Sequence, residues 1–214
     1  NITINISGNV SLSNNVTFSP VYLTINTGGI LNPNTKVFTL NAGTLTFNTG
    51  STISNSGTFQ TQGTVTLNVK NGANFNAPLK VNTGTTTYYD NGGPFIAKFN
   101  GSVTIDASAV MDIVGGGYFI QTNGALTNNG AITGSGSTLL VRSSTFTNNG
   151  SVNSSNLEFD TTPTVSGSGT FTPANIMIIS SGNVSLANNL SFSPTAGLTI
   201  NGGGVLNPNT FTLT

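Results

Sequence analysis

Short runs of alternating apolar and polar residues recur along the whole chain. Leu23, Leu45 and Leu67 each begin an apolar–polar–apolar triplet, and the three triplets follow one another at equal intervals. A second set, ALTNNGAI at 125–132 and TFTNNGSV at 145–152, repeats at a slightly shorter interval. Strict alternation over four or five residues is typical of a β-strand with one buried face. The pattern therefore predicts short strands that return about every 18–24 residues.

Turn-forming sequences separate these runs, and none of the runs has helical periodicity. Asn-Gly, Gly-Gly and Asn-Asn-Gly favour turns and positive φ. A strand–turn unit of about 20 residues fits one turn of a parallel β-solenoid. Apolar side chains would then stack inside, and asparagines at repeated turn positions would form hydrogen-bonded ladders. We predict an all-β parallel β-solenoid; the alternative is a tandem array of antiparallel β-sandwiches.

A longer repeat contains the short one. The segment SGNVSLSNNVTFSP at 7–20 returns as SGNVSLANNLSFSP at 181–194, with 11 of 14 positions identical. LTINTGGILNPNT at 23–35 returns as LTINGGGVLNPNT at 198–210, with 11 of 13 identical. The two segments return after almost the same offset. We therefore predict one repeat unit over 1–174 and the start of the next over 175–214, joined in one continuous solenoid.

Composition excludes several kinds of chemistry. The chain has five basic and five acidic residues, no histidine and no cysteine. Nucleic-acid binding through a basic patch is not expected, and Cys/His zinc sites and disulfides are impossible. No apolar run approaches the roughly 20 residues of a membrane-spanning helix. The chain begins with Asn1 and shows no signal peptide, so we expect an internal piece of a longer protein.

Threonines provide the first candidate contact surface. Thr44 and Thr46 return 20 residues later as Thr64 and Thr66, and would point outward from their strands. Flat arrays of this kind resemble those of ice-binding proteins, although threonine is also a favoured outward residue of any strand.

A second candidate surface lies within 82–94, NTGTTTYYDNGGP, which breaks the rhythm. We predict a strand over 85–89 followed by a turn, in a loop or extra strand over the side of the solenoid. Tyr88 and Tyr89 would point to opposite faces, so one of them would be exposed and could contact a glycan or a neighbouring subunit.

Carboxylates are too few to favour catalysis. Asp106 and Asp112 lie in neighbouring segments, and Glu158 and Asp160 flank Phe159, where a strand would place them on one face. The glycine- and aspartate-rich motif of calcium-binding β-helices is absent. We therefore predict a protein that is not an enzyme and has no cofactor or metal.

Three stretches resemble a known group of proteins: GTLTFNTGSTISNSGTF (43–59), GALTNNGAITGSGS (124–137) and FTNNGSVNSS (146–155). They are similar to the β-strand repeats of filamentous-haemagglutinin-like adhesins and autotransporter passenger domains of bacteria. The resemblance implies a right-handed β-helix at the cell surface, used as a fibre, stalk or adhesin. The function expected is structural or adhesive, with self-association or surface glycans as partners; the alternative is a glycan- or ice-binding module.

Overall fold

The fold is described from a computed structural model, which covers residues 1–54, 57–70, 72–90, 97–114, 119–179 and 181–214. These residues form strands and turns with no helix, and the strands stack in parallel as a β-solenoid of about 9 turns. The predicted fold class is therefore confirmed, and the antiparallel alternative is wrong. The strands in chain order are β1 (Ile2–Ile4), β2 (Asn9–Ser11), β3 (Val16–Phe18), β4 (Tyr22–Ile25), β5 (Ile30–Asn32), β6 (Val37–Phe47), β7 (Thr52–Ile53), β8 (Thr58–Val69), β9 (Asn74–Phe75), β10 (Leu79–Asp90), β11 (Ala97–Phe99), β12 (Val103–Ile105), β13 (Ala109–Val114), β14 (Phe119–Thr122), β15 (Leu126–Asn128), β16 (Ala131–Val141), β17 (Thr145–Asn148), β18 (Ser151–Phe159), β19 (Thr164–Ser166), β20 (Thr170–Phe171), β21 (Asn175–Ile178), β22 (Asn183–Leu186), β23 (Gly197–Ile200) and β24 (Val205–Asn207).

Each turn of the solenoid has three strand positions, which stack into three parallel sheets. We call these sheets face 1, face 2 and face 3, in the order that the chain visits them. Face 1 begins with β1 and β4, face 2 with β2 and β5, and face 3 with β3 and the first part of β6. The long strands bend across a corner: β6, β8 and β10 run from face 3 to face 1, and β16 and β18 run from face 1 to face 2.

Inward apolar side chains determine how successive turns align. Leu23, Leu45 and Leu67 are paired directly on face 1, which confirms the interval predicted from their triplets. The length of a turn varies along the solenoid: Val141 pairs with Phe159 across a short turn, whereas Thr87 pairs with Asp112 across a longer one. Because corners can absorb extra residues, the inward positions stay aligned while the turn length changes.

Stacked aromatic rings occupy the middle of the core. The ring of Phe59 lies 5.3 Å from that of Phe38 and 5.3 Å from that of Phe75, measured between centroids. Phe75 also contacts Phe47 at 5.7 Å and Phe99 at 5.0 Å. All five side chains are buried. Each turn thus places apolar surface against the turn above and the turn below, which is the main favourable contribution to the fold.

Asparagine ladders at the corners were predicted from the repeated turn positions and are confirmed. The side-chain amide of Asn26 donates to Oδ1 of Asn5 at 3.2 Å, and that of Asn48 donates to Oδ1 of Asn26 at 3.0 Å. A second ladder joins Asn123 to Asn100 and Asn100 to Asn76, each at 2.7 Å. Neutral amides can both donate and accept, so they link identical side chains turn after turn without charge repulsion.

The two Asn-Asn-Gly sequences place their first asparagine inside the solenoid. Asn128 and Asn148 are fully buried at inward positions of face 3. The amide of Asn128 donates to Oδ1 of Asn148 at 2.8 Å and to the Ser151 carbonyl at 2.9 Å. The amide of Asn148 donates to the Thr170 carbonyl at 3.0 Å. These buried amides therefore connect the corner between faces 3 and 1 over three successive turns.

We expect Asn148→Ala to lower the free energy of unfolding by roughly 2 kcal/mol, because it leaves buried polar groups without hydrogen bonds. The matched control is Asn149→Ala, which removes a similar bond to Asn129 at 2.9 Å but from an exposed side chain. That control should change stability by less than about 0.5 kcal/mol. Urea unfolding followed by circular dichroism measures both, and equal losses would contradict the prediction.

Candidate interaction surface

Outward threonines form a column on face 1, with a different register from the one expected. Thr44 pairs with Thr66, and Thr66 pairs with Thr87. Thr64 lies where the pairing of β6 with β8 shifts, between Gln62 and Val65, and stands outside this column. The predicted pairing of Thr44 with Thr64 and of Thr46 with Thr66 is therefore wrong. The irregular corner adds extra residues, while the inward Leu45–Leu67 pair fixes the register.

The neighbouring outward column is less regular. Thr24 is followed by Thr46, then by Asn68 and Tyr89 on the next two turns. Among the described residues of these four turns, only one turn therefore presents threonines in both columns, at Thr44 and Thr46. A surface that matches the ice lattice needs a pair of outward threonines on each of several successive turns, so the geometry does not favour ice binding here.

Tyr88 and Tyr89 point in opposite directions, as their places in one strand require. Tyr88 is fully buried and occupies the inward position above Leu67, with its ring 5.7 Å from that of Phe99. It therefore belongs to the core and is not a contact residue. Tyr89 is 39% exposed on face 1. Their strand, β10, is part of the solenoid wall rather than an addition to its side. The turn was predicted over 90–94; Asp90 is instead the last residue of β10, and 91–94 lie outside the described residues.

A polar trough is a further surface that the sequence did not reveal. It has a volume of about 470 Å³ and runs along the corner between faces 1 and 2 over five successive turns. At one end the Thr133 hydroxyl donates to the Asp112 carboxylate at 2.7 Å. Six of the ten lining residues carry a hydroxyl group and one carries an amide; the lining comprises Asp112, 133–135, 153–155, Thr172, Ala174 and Thr195. The trough leaves no local motif in the sequence, because each turn contributes only a few of its residues.

Among the described side chains, four charged ones form two ion pairs that join adjacent turns. Lys80 Nζ lies 3.0 Å from Asp106 Oδ2, and Arg142 contacts Asp160. Asp160 is nearly buried, whereas Lys80 and Asp106 are partly exposed. The Asp112 carboxylate accepts a hydrogen bond from Thr133, so Asp106, Asp112 and Asp160 each have a partner on an adjacent turn. Within the described ranges, no three potential ligands come close enough to hold a metal ion.

Among the carboxylates whose side chains the structure describes, Glu158 is the one with a shifted pKa. It points outward from face 2, where its neighbours on the adjacent turns are Leu140 and Met177. Partial burial raises the pKa of the Glu158 carboxyl above its ordinary value, and the negative charge of Asp160 raises this pKa further. The folded protein therefore binds this proton more tightly than the unfolded chain does.

We expect Glu158→Gln to stabilise the protein slightly at neutral pH. A raised folded-state pKa means that stability falls as pH rises from the ordinary glutamate range through the raised value, and the lower stability persists above it. The glutamine variant lacks this loss, so its advantage should vanish under acidic conditions where wild-type Glu158 is protonated in both states. Urea unfolding at acidic and neutral pH measures the difference; an advantage of equal size at both would contradict the prediction.

Comparison with known proteins assigns the chain to no family. No family model matches it, and no curated protein or solved structure matches it significantly. Among the residues described, no helix is long and apolar enough to cross a membrane.

Proposed function

We propose that this chain is a length of a non-catalytic extracellular rod, built from tandem copies of the repeat and serving as a fibre, stalk or surface adhesin. The proposal rests on the strand pairing at the boundary between one copy of the repeat and the next. The first strands of the second copy, β21 and β22, pair directly with β18 and β19 of the first. The Ile179 amide donates to the Phe159 carbonyl at 3.0 Å across this boundary. Further copies would therefore lengthen one rod rather than add separate domains.

The chemistry of the surface supports self-association of such rods. The chain has a formal net charge of zero, and the two ion pairs neutralise four of its few charged side chains. The columns and corners carry hydroxyl and amide groups instead. Neighbouring rods with this surface do not repel one another, and their contacts depend little on salt. The sequence resemblance to bacterial surface adhesins supports an extracellular location.

Electron microscopy tests the proposal. Chains with one, two and three copies of the repeat should appear as straight rods that lengthen by about 40 Å per copy, because adjacent strands are spaced about 4.8 Å apart along the axis. Immunogold labelling of the producing cells should place the protein on extended structures outside the cell. Compact particles whose length does not grow with copy number would overturn the proposal.

A second candidate function is glycan binding in the polar trough. The trough supports it because its hydroxyl and amide groups can bond sugar hydroxyls, and Tyr89 is exposed one turn before Asp112 on the same face. A glycan array probed with the full chain tests this function. The double variant Asp112→Ala with Asn153→Ala should abolish any signal, while Asn14→Ala, on a corner outside the trough, should leave it unchanged. Signal that survives the double variant would exclude the trough as the glycan site.

A further inference from the structure

The two copies of the repeat occupy different faces of the solenoid. Ile2–Ile4 lies on face 1, and its equivalent, 176–178, lies on face 2. Asn9–Ser11 lies on face 2, and its equivalent, 183–185, lies on face 3. Following face 1 from β1 to β20 gives eight complete turns, and β21 then begins on the next face. The repeat therefore advances by eight turns and one face.

The glycine corners show that the faces are interchangeable. Between faces 1 and 2, the Gly29 amide donates to the Asn26 carbonyl at 2.8 Å. In the second copy the equivalent turn lies between faces 2 and 3, and the Gly204 amide donates to the Asn201 carbonyl at the same distance. One local sequence therefore makes the same turn at two different corners.

The Asn-Pro-Asn-Thr corners lead to the same conclusion. Asn34 turns the chain from face 2 to face 3 with φ of 61°, and its equivalent Asn209 turns it from face 3 towards face 1 with φ of 54°. The Val37 amide donates to Oδ1 of Asn15 at 2.9 Å, and the Thr212 amide donates to Oδ1 of Asn189 at 2.9 Å. These turns therefore keep their geometry and hydrogen bonds when the repeat shifts by one face.

The first turn of the solenoid leaves an apolar groove open. Strands β1, β2 and β3 each pair along one edge, with β4, β5 and β6. Val10 is 42% exposed there, whereas its equivalent Val184 is fully buried in the second copy. The groove has a volume of about 150 Å³, and its lining is almost entirely apolar; it includes Ile2, Ile4, Val10, Leu12, Val16 and Phe18.

The second copy shows which residues close the equivalent groove. Strands β21 and β22 are covered by the last turn of the first copy, residues 156–174. Its inward side chains Leu157, Phe159, Val165 and Phe171 are fully buried. The Asn175 amide donates to Oδ1 of Asn156 at 2.9 Å, and the equivalent position in the first copy, Asn1, carries the same side chain.

We propose that residues 156–174 of a second copy of the repeat pack on strands β1 to β3. Each such junction would start the next copy one face further around the solenoid. The inference rests on the proposed function in one respect, that copies follow one another. Tyr89 would then appear on faces 1, 2 and 3 in successive copies, and the trough would appear at each of the three corners in turn. The pattern would return after three copies, which make about 25 turns or about 120 Å of rod.

Disulfide trapping tests the junction in the full chain extended at its N-terminus by an added copy of residues 1–174. The native chain has no cysteine, so introduced pairs are unambiguous. We pair Glu158→Cys in the added copy with Thr3→Cys in the full chain, because Met177, the equivalent of Thr3, pairs with Glu158. Adjacent strands bring paired Cα atoms within the range that a disulfide spans. The expected result is complete loss of free thiol under mild oxidation.

A second pair detects a junction without rotation. If the added copy and the full chain kept the same faces, β1 would take the place of β20 on face 1, and Thr3 would lie beside Asn153 rather than Glu158. Thr3→Cys in the full chain paired with Asn153→Cys in the added copy should therefore keep both thiols free. The positive control is Glu158→Cys with Met177→Cys in the unextended chain, which should form its disulfide in full.

The outcomes separate this inference from the proposed function. A Thr3–Asn153 disulfide, or free thiols with both test pairs while the control pair closes, overturns the inference. If the rods also lengthen by about 40 Å per copy, the proposed function stands alone. A Thr3–Glu158 disulfide in particles that do not lengthen supports the junction and overturns the proposed function.

Discussion

Gly150→Ala is expected to lower the free energy of unfolding by roughly 3 kcal/mol or more, because the added methyl group would overpack the site and break a backbone hydrogen bond. A Cβ at Gly150 would collide with the carbonyl oxygen of Gly130 on the turn before. That oxygen accepts the Ser151 amide at 2.9 Å, so it cannot move without breaking the bond between the turns. Gly169 has the same relation to Gly150, which makes this corner a stack of glycines.

Gly202→Ala is the matched control. Gly202 also lies in a tight turn, but a Cβ there meets no atom within 4 Å. The control should change stability by less than about 0.5 kcal/mol. Urea unfolding measures both variants, and hydrogen exchange shows whether the loss in Gly150→Ala centres on β16 and β18. Comparable stability of the two variants would refute the role given to the stack.

Phe75→Ala is expected to cost roughly 3–5 kcal/mol, the usual range for removing a buried phenylalanine ring. Phe75 is 2% exposed and contacts the rings of Phe47, Phe59 and Phe99 on the turns around it. Its loss leaves a cavity that opens the core in the middle of the solenoid. Since each turn is stabilised by its neighbours, we expect strands β7 and β11 to lose hydrogen-exchange protection first.

Phe75→Leu separates the loss of volume from the loss of the ring. Leucine fills most of the site, so this variant should cost about 1–1.5 kcal/mol. A similar cost for leucine and alanine would mean that ring contacts, rather than the cavity, dominate at this position. Urea unfolding of both variants under identical conditions makes the comparison.

The fold could be predicted because the inward positions carry strong information. The evenly spaced leucines and the two Asn-Asn-Gly motifs occupy equivalent positions in the structure. Both signals arise from constraints that only a few residue types satisfy: apolar burial at Leu45, and a buried, bonded amide at Asn128. The asparagine ladders followed from the same reasoning.

Outward positions constrain the residue type less, which explains why the predicted register of the threonine column was wrong. Many residues satisfy a solvent-facing strand position, so the threonine spacing did not reveal that Thr66 rather than Thr64 lies beside Thr44. The ion pair of Lys80 with Asp106 depends on a turn whose length no local pattern indicates.

The shift by one face was hidden for a related reason. The lengths of the turns vary along the chain, so the long repeat does not equal a whole number of identical turns. Only the strand pairing of the second copy reveals the face on which it begins.

The parallel pairing of the strands determines how such a rod would respond to tension. Its hydrogen bonds between turns lie along the axis, so a pull on the two ends loads them one turn after another from the end inward. The first turn runs from Ile2 to Leu23. Once unwound, its chain would extend to roughly 70 Å, against the 4.8 Å or so of axis that it occupied. Under load the protein would therefore lengthen in discrete steps as turns unwind. It would limit the force that it transmits as well as hold its two ends apart.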